Sequence, residues 1–157
     1  MDDLPLKTTI AVLATLRFVG QDVDPALVTA KLGISPTSST RRGDPVKSHP
    51  EYQRKDGVWA LDSDLPETSS VAEHIEHLLG KVRDRGDALR WLSRRGWPGE
   101  FFCSYWLNHG PELETAEDLS AGDGRSGFQL KPELLSRIAS LGLGVLVDVN
   151  SSEERPD

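Results

Sequence analysis

The chain has 157 residues, a formal net charge of −7, 37% hydrophobic residues and one cysteine. This length fits a single domain whose core needs neither a metal nor a crosslink. The acidic balance argues against nucleic acid and anionic membranes as partners, because a phosphate-binding surface normally carries a basic excess. A single cysteine cannot form an internal disulfide, and the acidic N-terminus has no signal-peptide character, so we expect a cytoplasmic protein.

Hydrophobic alternation predicts a first strand over residues 9–20, with even-numbered positions facing the core and odd-numbered positions forming a half-polar face. A short helix is predicted at Pro25–Leu32. Residues 35–53 contain three prolines and show no periodicity, so we expect a long loop there. A second strand is predicted at residues 57–63.

The main helix is predicted to begin after Ser70, because Ser70 and Glu73 fit a capping box and apolar residues recur at helical spacing as far as Val82. Gly86 is expected to interrupt it before a further short helix. The remaining predicted elements are a strand at 100–108, an acidic loop at 109–126, a short strand at 127–130, a helix from Pro132 and a strand at 143–149.

The helices at Pro25 and Pro132 share one plan, in which proline opens the helix and a Leu-Gly pair closes it. Each lies beside a strand-like run, which favours two related halves. We therefore predict an α+β fold: a mainly antiparallel sheet with helices on one face, as two ferredoxin-like strand-helix halves in one domain. We expect an N-terminal extension at residues 1–8, the domain at 9–150 and a disordered tail at 151–157.

Five short motifs carry a resemblance to a known family. They are Leu13–Phe18, Leu32–Thr37, Arg42-Gly43, Trp59–Leu61 and Gly127–Leu130. Together they resemble the bacterial family labelled domain of unknown function 4279, over most of the chain from about Thr9 to Val149. That family has no assigned reaction, so the resemblance implies a small bacterial protein of one domain, with no known catalytic residues.

Two features could suggest a metal or catalytic site, but the spacing and pattern of their residues favour structural roles. His74 and His77 are three residues apart, whereas a zinc-protease helix needs two histidines four apart, so we predict no metal site. Cys103 shares a predicted strand face with Phe101, Tyr105 and Leu107, so we expect a buried, inert thiol.

A loop rich in hydrogen-bond donors runs from Thr37 to Gly43. Its hydroxyl groups, with the guanidinium groups of Arg41 and Arg42, are suited to a carboxylate or phosphate. The alternative is a solvated loop whose arginines pair with acids such as Asp44 and Glu51.

Polar residues recur on the second face of the predicted sheet, which a fully covered sheet would not need. They are Thr15, Arg17, Ser104, Trp106 and Asp148. A cation, an acid and an indole on one face suit a shallow ligand or partner site, to which Trp59 contributes if its strand pairs with the first. The alternative is a solvated face with a cross-strand Arg17–Asp148 pair and Trp106 packed under a loop.

Since no catalytic motif stands out, we predict a non-catalytic binding protein that engages a basic protein partner or a small anionic ligand, without a cofactor or metal. The alternative from another class is a small enzyme with an arginine-lined anion pocket and a histidine acid or base. A third possibility is a homodimer through the surface around Trp106. We expect neither nucleic acid nor a membrane as partner.

Overall fold

The computed structural model describes residues 9–108 and 127–151. Its helices and strands, in chain order, are β1 (Thr9–Gly20), α1 (Pro25–Leu32), β2 (Ser38–Thr40), β3 (Pro45–Val46), β4 (His49–Gln53), β5 (Gly57–Asp62), α2 (Val71–Val82), α3 (Gly86–Arg94), β6 (Glu100–Asn108), α4 (Pro132–Ser140) and β7 (Gly144–Ser151). One turn of 3-10 helix, Arg83–Arg85, joins α2 to α3.

Five strands form one sheet in the order β2-β5-β1-β6-β7, and β3 pairs with β4 in a separate hairpin. Strand β1 is antiparallel to both of its neighbours, whereas β6 and β7 are parallel. The predicted α+β class with a mainly antiparallel sheet is confirmed. The two halves differ, because β5 lies between β1 and β2, the strands before and after α1, whereas β6 and β7, on either side of α4, are direct neighbours. Their ferredoxin-like character stays a prediction.

The core lies between one face of this sheet and the helices. Val12, Ala14, Leu16 and Phe18 are buried on that face, as the alternation predicts, and they join one cluster with apolar residues from all four described helices. Trp59 lies opposite Phe18 in the sheet register, and the two rings meet edge to face with centroids 5.6 Å apart. The core therefore forms where β1, β5 and β6 meet the helices.

Trp59 also ties α1 to the sheet. Its indole Nε1 donates a hydrogen bond of 3.0 Å to Thr29 Oγ1 on α1. The indole is fully buried, and a buried Trp N–H without a partner would cost free energy. This bond fixes where α1 crosses the sheet.

The predicted helix ends are confirmed where they depend on local chemistry. Ser70 Oγ accepts from the Glu73 backbone N–H at 3.1 Å, and Glu73 Oε1 accepts from the Ser70 N–H at 2.8 Å, which completes the capping box. After α1 and α4, Gly33 and Gly142 take φ values of +69° and +72°, a left-handed conformation that side chains disfavour. These two glycines end the helices as predicted.

Several predicted elements are wrong in detail. Residues 35–53 contain β2, β3 and β4 rather than a continuous loop, since strands of two to five residues are too short to show periodicity. Residues 127–130 form no strand. Gly86 does not interrupt a helix as predicted: the break between α2 and α3 lies earlier, in the 3-10 turn, and Gly86 is the first residue of α3. Ser151 belongs to β7 rather than to a tail. The other predicted tail residues, the extension at 1–8 and the loop at 109–126 lie outside the described residues.

Among the helices in the described parts of the chain, none combines the length and the apolar character that crossing a membrane requires.

Gly57 and Gly80 allow a paired test of how closely the chain packs around the start of β5. A Cβ on Gly57 would lie 1.9 Å from the Val23 carbonyl oxygen, whereas nothing lies within 4 Å of one on Gly80 within α2. We expect Gly57→Ala to lower the free energy of unfolding by more than about 2 kcal/mol, because backbone must move. Gly80→Ala should raise it by about 0.5–1 kcal/mol through helix propensity. Urea denaturation of both variants measures this, and a Gly57→Ala protein as stable as wild type would contradict the packing described.

Candidate functional site

The face of the sheet opposite the core carries the candidate site. The described helices pack against the core face, and on the opposite face Leu13 and Leu146 are 53% and 45% exposed. We call this surface the open face, and it includes Ala11, Leu13, Thr15 and Arg17 of β1, Asp62 of β5, Glu100, Phe102, Ser104 and Trp106 of β6, and Leu146, Asp148 and Asn150 of β7.

The strand register arranges the open face in rows across the sheet. Arg17 lies beside Glu100, and the next row holds Asp62, Thr15, Phe102 and Leu146. The row after that holds Leu13, Ser104 and Asp148, followed by Ala11, Trp106 and Asn150. Apolar, polar and charged side chains are therefore mixed over four rows of one surface.

Arg17 is held in place by two neighbours on β6. Its Nε donates to Glu100 Oε1 at 2.8 Å, and its guanidinium lies 4.0 Å from the centroid of the Phe102 ring. The ion pair and the cation–π contact together fix the only cation of the open face among the described residues. The predicted pairing of Arg17 with Asp148 is wrong, because β6 separates the two strands and the residues lie about 13 Å apart along the strand direction.

Two carboxylates of the open face have hydrogen bonds but no cation. Asp62 Oδ1 accepts from Thr15 Oγ1 at 2.7 Å, and Asp148 Oδ2 accepts from Asn150 Nδ2 at 3.4 Å. Within the described parts of the chain, no Lys, Arg or His nitrogen lies within ion-pair distance of either carboxylate. Among the described residues, the open face therefore carries a net negative charge beside exposed leucine side chains.

The structure brings most of the predicted second-face residues together. Thr15, Arg17, Ser104, Trp106 and Asp148 all belong to the open face. Their role in binding stays a prediction.

Trp59 does not join them. Its strand does pair with β1 as the prediction required, but Trp59 lies on the core face and is fully buried, so it is not part of the open face. The alternation of side chains along β5 explains why Trp59 lies on the core face, because neighbouring side chains along a strand point to opposite faces.

The Thr37–Gly43 loop is tied down by its own bonds. Thr37 Oγ1 accepts from the Asp62 N–H at 2.9 Å, Asp44 Oδ2 accepts from the Arg41 N–H at 2.7 Å, and the Gly43 N–H donates to the Arg54 carbonyl at 2.8 Å. The Asp44 carboxylate thus occupies the place that the predicted anion would take at the Arg41 N–H.

The guanidinium groups of this loop are exposed. Arg41 lines a cavity of about 290 Å³ beside Val23–Ala26, at the N-terminal end of α1. Within the described residues neither Arg41 nor Arg42 forms the ion pair with Asp44 or Glu51 that the alternative prediction expects. Glu51 lies 3.7 Å from His49 instead.

His74 is a core residue of α2 with 1% exposure. Its Nδ1 lies 2.8 Å from Ser63 Oγ, which also accepts from the Leu65 N–H. Burial lowers the pKa of His74 below its ordinary value, although backbone carbonyl groups of Pro66 and Val12 act in the opposite direction. The neutral imidazole therefore holds Ser63 and the chain after β5 in place.

Nearby, His77 pairs with Asp64, and its hydrogen bond, with the charge of Lys81, holds the pKa of Asp64 below its usual value. Cys103 is fully buried, and burial raises the pKa of its thiol to about 11, which leaves no thiolate at neutral pH. In the described part of the chain no three His, Cys, Asp or Glu side chains are grouped to hold a metal ion.

Sequence reasoning missed several members of the open face: Leu13, Asp62, Glu100, Phe102 and Leu146. The alternation of each strand already placed Leu13 and Phe102 on the second face of their own strands. What could not be read was the register, which sets Phe102 directly beside Thr15 and Leu146.

Comparison with known proteins identifies the family. The chain belongs to the family described as domain of unknown function (DUF4279), whose sequence profile matches residues 8–152. A search of curated proteins and a search of solved structures each found no match. Membership assigns one family to nearly the whole chain and no activity.

The burial of His74 predicts a pH-dependent stability. The pKa of His74 is lowered in the folded state, so the unfolded chain, with a histidine pKa near 6.5, takes up the proton first. The stability this group contributes is complete above about pH 6.5 and is lost as the pH falls toward the folded-state pKa. We expect the free energy of unfolding to fall between pH 7.5 and 5.5, and to fall less steeply in His74→Gln.

The exposed His49 provides the control for this measurement. Urea denaturation of His49→Gln across the same pH range should give the wild-type slope. Identical slopes in wild type, His74→Gln and His49→Gln would contradict the assignment to His74.

Proposed function

We propose that this DUF4279 protein is a non-catalytic binding protein of the cytoplasm, whose open face takes a basic protein partner. The observation that carries the proposal is the placement of Asp62 and Asp148, with which no cation of the described residues forms an ion pair, around exposed Leu13 and Leu146. An apolar surface with an acidic surround matches a partner that offers apolar side chains surrounded by Lys and Arg.

Affinity in such a complex comes from the apolar residues. Leu13 and Leu146 retain about half of their exposure in the free protein. Complete burial of a leucine side chain is worth about 1.5–3 kcal/mol, so covering each of these half-exposed side chains contributes roughly 1 kcal/mol. Arg17 is already bonded to Glu100, so this pair offers a fixed polar contact for a partner at little further entropic cost.

The negative charges of the protein raise the rate of association with a basic partner. The net charge of −7 and the carboxylates of Asp62 and Asp148 attract a basic partner during diffusional encounter. A symmetric homodimer through this face would instead bring the like charges of two copies together. The charge on the open face therefore favours a basic partner over a second copy of the chain.

The enzyme alternative has less support. Its best base, His74, is buried against Ser63 with a lowered pKa, and the Arg41 backbone N–H is already bonded to Asp44. The described contacts do not bring Arg41 or Arg42 to this histidine. We therefore favour binding over catalysis as the function, and a protein over a small anion as the partner.

The test compares two leucines that are equally exposed on different surfaces. Leu146 on the open face and Leu135 on α4 are both 45% exposed. Wild-type protein, immobilised at low salt, should retain a basic protein from an extract of its natural host. Leu146→Ser should weaken binding of that purified partner about fivefold to tenfold, because a buried apolar contact is lost. Leu135→Ser should leave the affinity unchanged.

Equal effects of Leu146→Ser and Leu135→Ser would contradict the assignment to the open face. Retention of an acidic protein whose binding Leu146→Ser weakens, or of a small anion that Arg42→Ala releases, would overturn the partner class.

The charge of Asp148 predicts a kinetic effect. Asp148→Asn should slow association with the purified partner, and raising the salt concentration should reduce the difference from wild type, because screening weakens long-range attraction. Asp22→Asn removes the same charge from an exposed position outside the open face and provides the control. Stopped-flow measurement at several salt concentrations gives the rates. A wild-type association rate that does not depend on salt would contradict the charge argument.

A further inference from the structure

The segment from Lys81 to Arg95 has a charge opposite to that of the whole chain. It contains six Lys and Arg residues and two carboxylates, a local net charge of +4 in a protein of net charge −7. All six basic residues are exposed. Such an asymmetry indicates a surface with its own partner, because solubility alone does not require it.

The structure gathers these cations on the outer side of α3. Leu89 and Leu92 bury the inner side of the helix in the core, which leaves Arg90 and Arg94 exposed. Arg90 Nη1 donates to the Ser140 carbonyl at 3.3 Å, and Arg83 lines a cavity of about 390 Å³ that Ser140 also lines. Arg83 and Arg90 therefore both lie near Ser140, at the end of α4.

Two further cations are held by aromatic rings at the other end of α3. The Arg95 guanidinium lies 4.8 Å from the Trp97 ring centroid and 5.5 Å from that of Trp91, and Lys31 Nζ lies 4.1 Å from the Trp91 centroid. A guanidinium stacked on a ring keeps its N–H groups available at the edge of its plane. The rings thus orient these cations without neutralising them.

We call the group of Lys31, Arg83, Arg90, Arg94 and Arg95 the arginine surface. Arg90 pairs with Asp87 at 2.9 Å. In the part of the chain that the structure describes, no carboxylate lies within ion-pair distance of Lys31, Arg83, Arg94 or Arg95. Cations at this density repel one another unless an anionic partner binds.

We propose that the arginine surface binds a short acidic segment of a partner protein, by pairing its guanidinium groups with Asp and Glu side chains. Helix α3 has nine residues and is about 13 Å long, which matches about four residues of extended chain. A nucleic acid is less suitable, because Asp84 and Asp87 lie among the arginines and the acidic remainder of the protein repels a long polyanion. This surface lies on the helix side of the sheet and does not depend on the open face.

The test uses the full-length protein and two labelled probes of equal length, a decaglutamate peptide and a ten-nucleotide single-stranded DNA. Fluorescence anisotropy in 20 mM salt gives the affinity for each. We expect the peptide to bind more tightly than the DNA, and Arg83→Gln/Arg94→Gln to weaken peptide binding about threefold to tenfold, as expected for two exposed ion pairs. Neither arginine has a described ion pair to lose, so the fold should tolerate the change.

The matched control, Lys47→Gln/Lys55→Gln, removes two exposed positive charges from another surface and should keep the wild-type affinity. Arg95→Lys keeps the charge but not the planar guanidinium, and we expect weaker peptide binding at unchanged net charge. Three results would overturn the proposal: no peptide binding by wild type, equal losses in the two double variants, or DNA binding as tight as peptide binding.

Discussion

The central position of β1 is the constraint on which the structure depends. This strand pairs with β5 along one edge and with β6 along the other, so its twelve residues organise the sheet on both sides. Its even-numbered side chains fill the core, and its odd-numbered side chains form the middle of the open face. A shift of one residue in its register would exchange these two sets, exposing Phe18 and burying Arg17. The core and the candidate site are consequently fixed by the same pairing.

Charge is distributed unevenly around this framework. The open face combines the carboxylates of Asp62 and Asp148, which form no ion pair with a described residue, with exposed leucines, while the helix side carries the arginine surface. Opposite charges on opposite sides of one small domain suit contacts with two chemically different partners. Among the described residues, His74 and Cys103 lie in the core, where burial lowers the pKa of His74 and raises that of Cys103.

Local features of the fold were predictable because local chemistry determines them. The capping box at Ser70, the proline and glycine at the ends of α1 and α4, and the alternation in β1 and β6 each depend on residues a few positions apart. The strands β2, β3 and β4 were missed because their pairing, rather than their own pattern, makes them strands.

The candidate site was predictable in part. Alternation grouped Thr15, Arg17, Ser104, Trp106 and Asp148, since it determines the face on which each side chain of a strand lies. It could not supply the register, so the contacts of Arg17 with Glu100 and Phe102 were not foreseen. The arginine surface depends on tertiary packing between α1, α3 and α4, which spacing within one helix does not reveal.

The measurement that tests the central claim most directly is photo-crosslinking inside the natural host. A photoreactive amino acid replaces Leu146 on the open face in one version of the protein and Leu135 on α4 in another, two positions of equal exposure. The account predicts one discrete adduct from position 146, containing a basic protein, and no corresponding adduct from position 135. An identical set of adducts from both positions, or an adduct from position 146 that contains only a second copy of this chain, would contradict it.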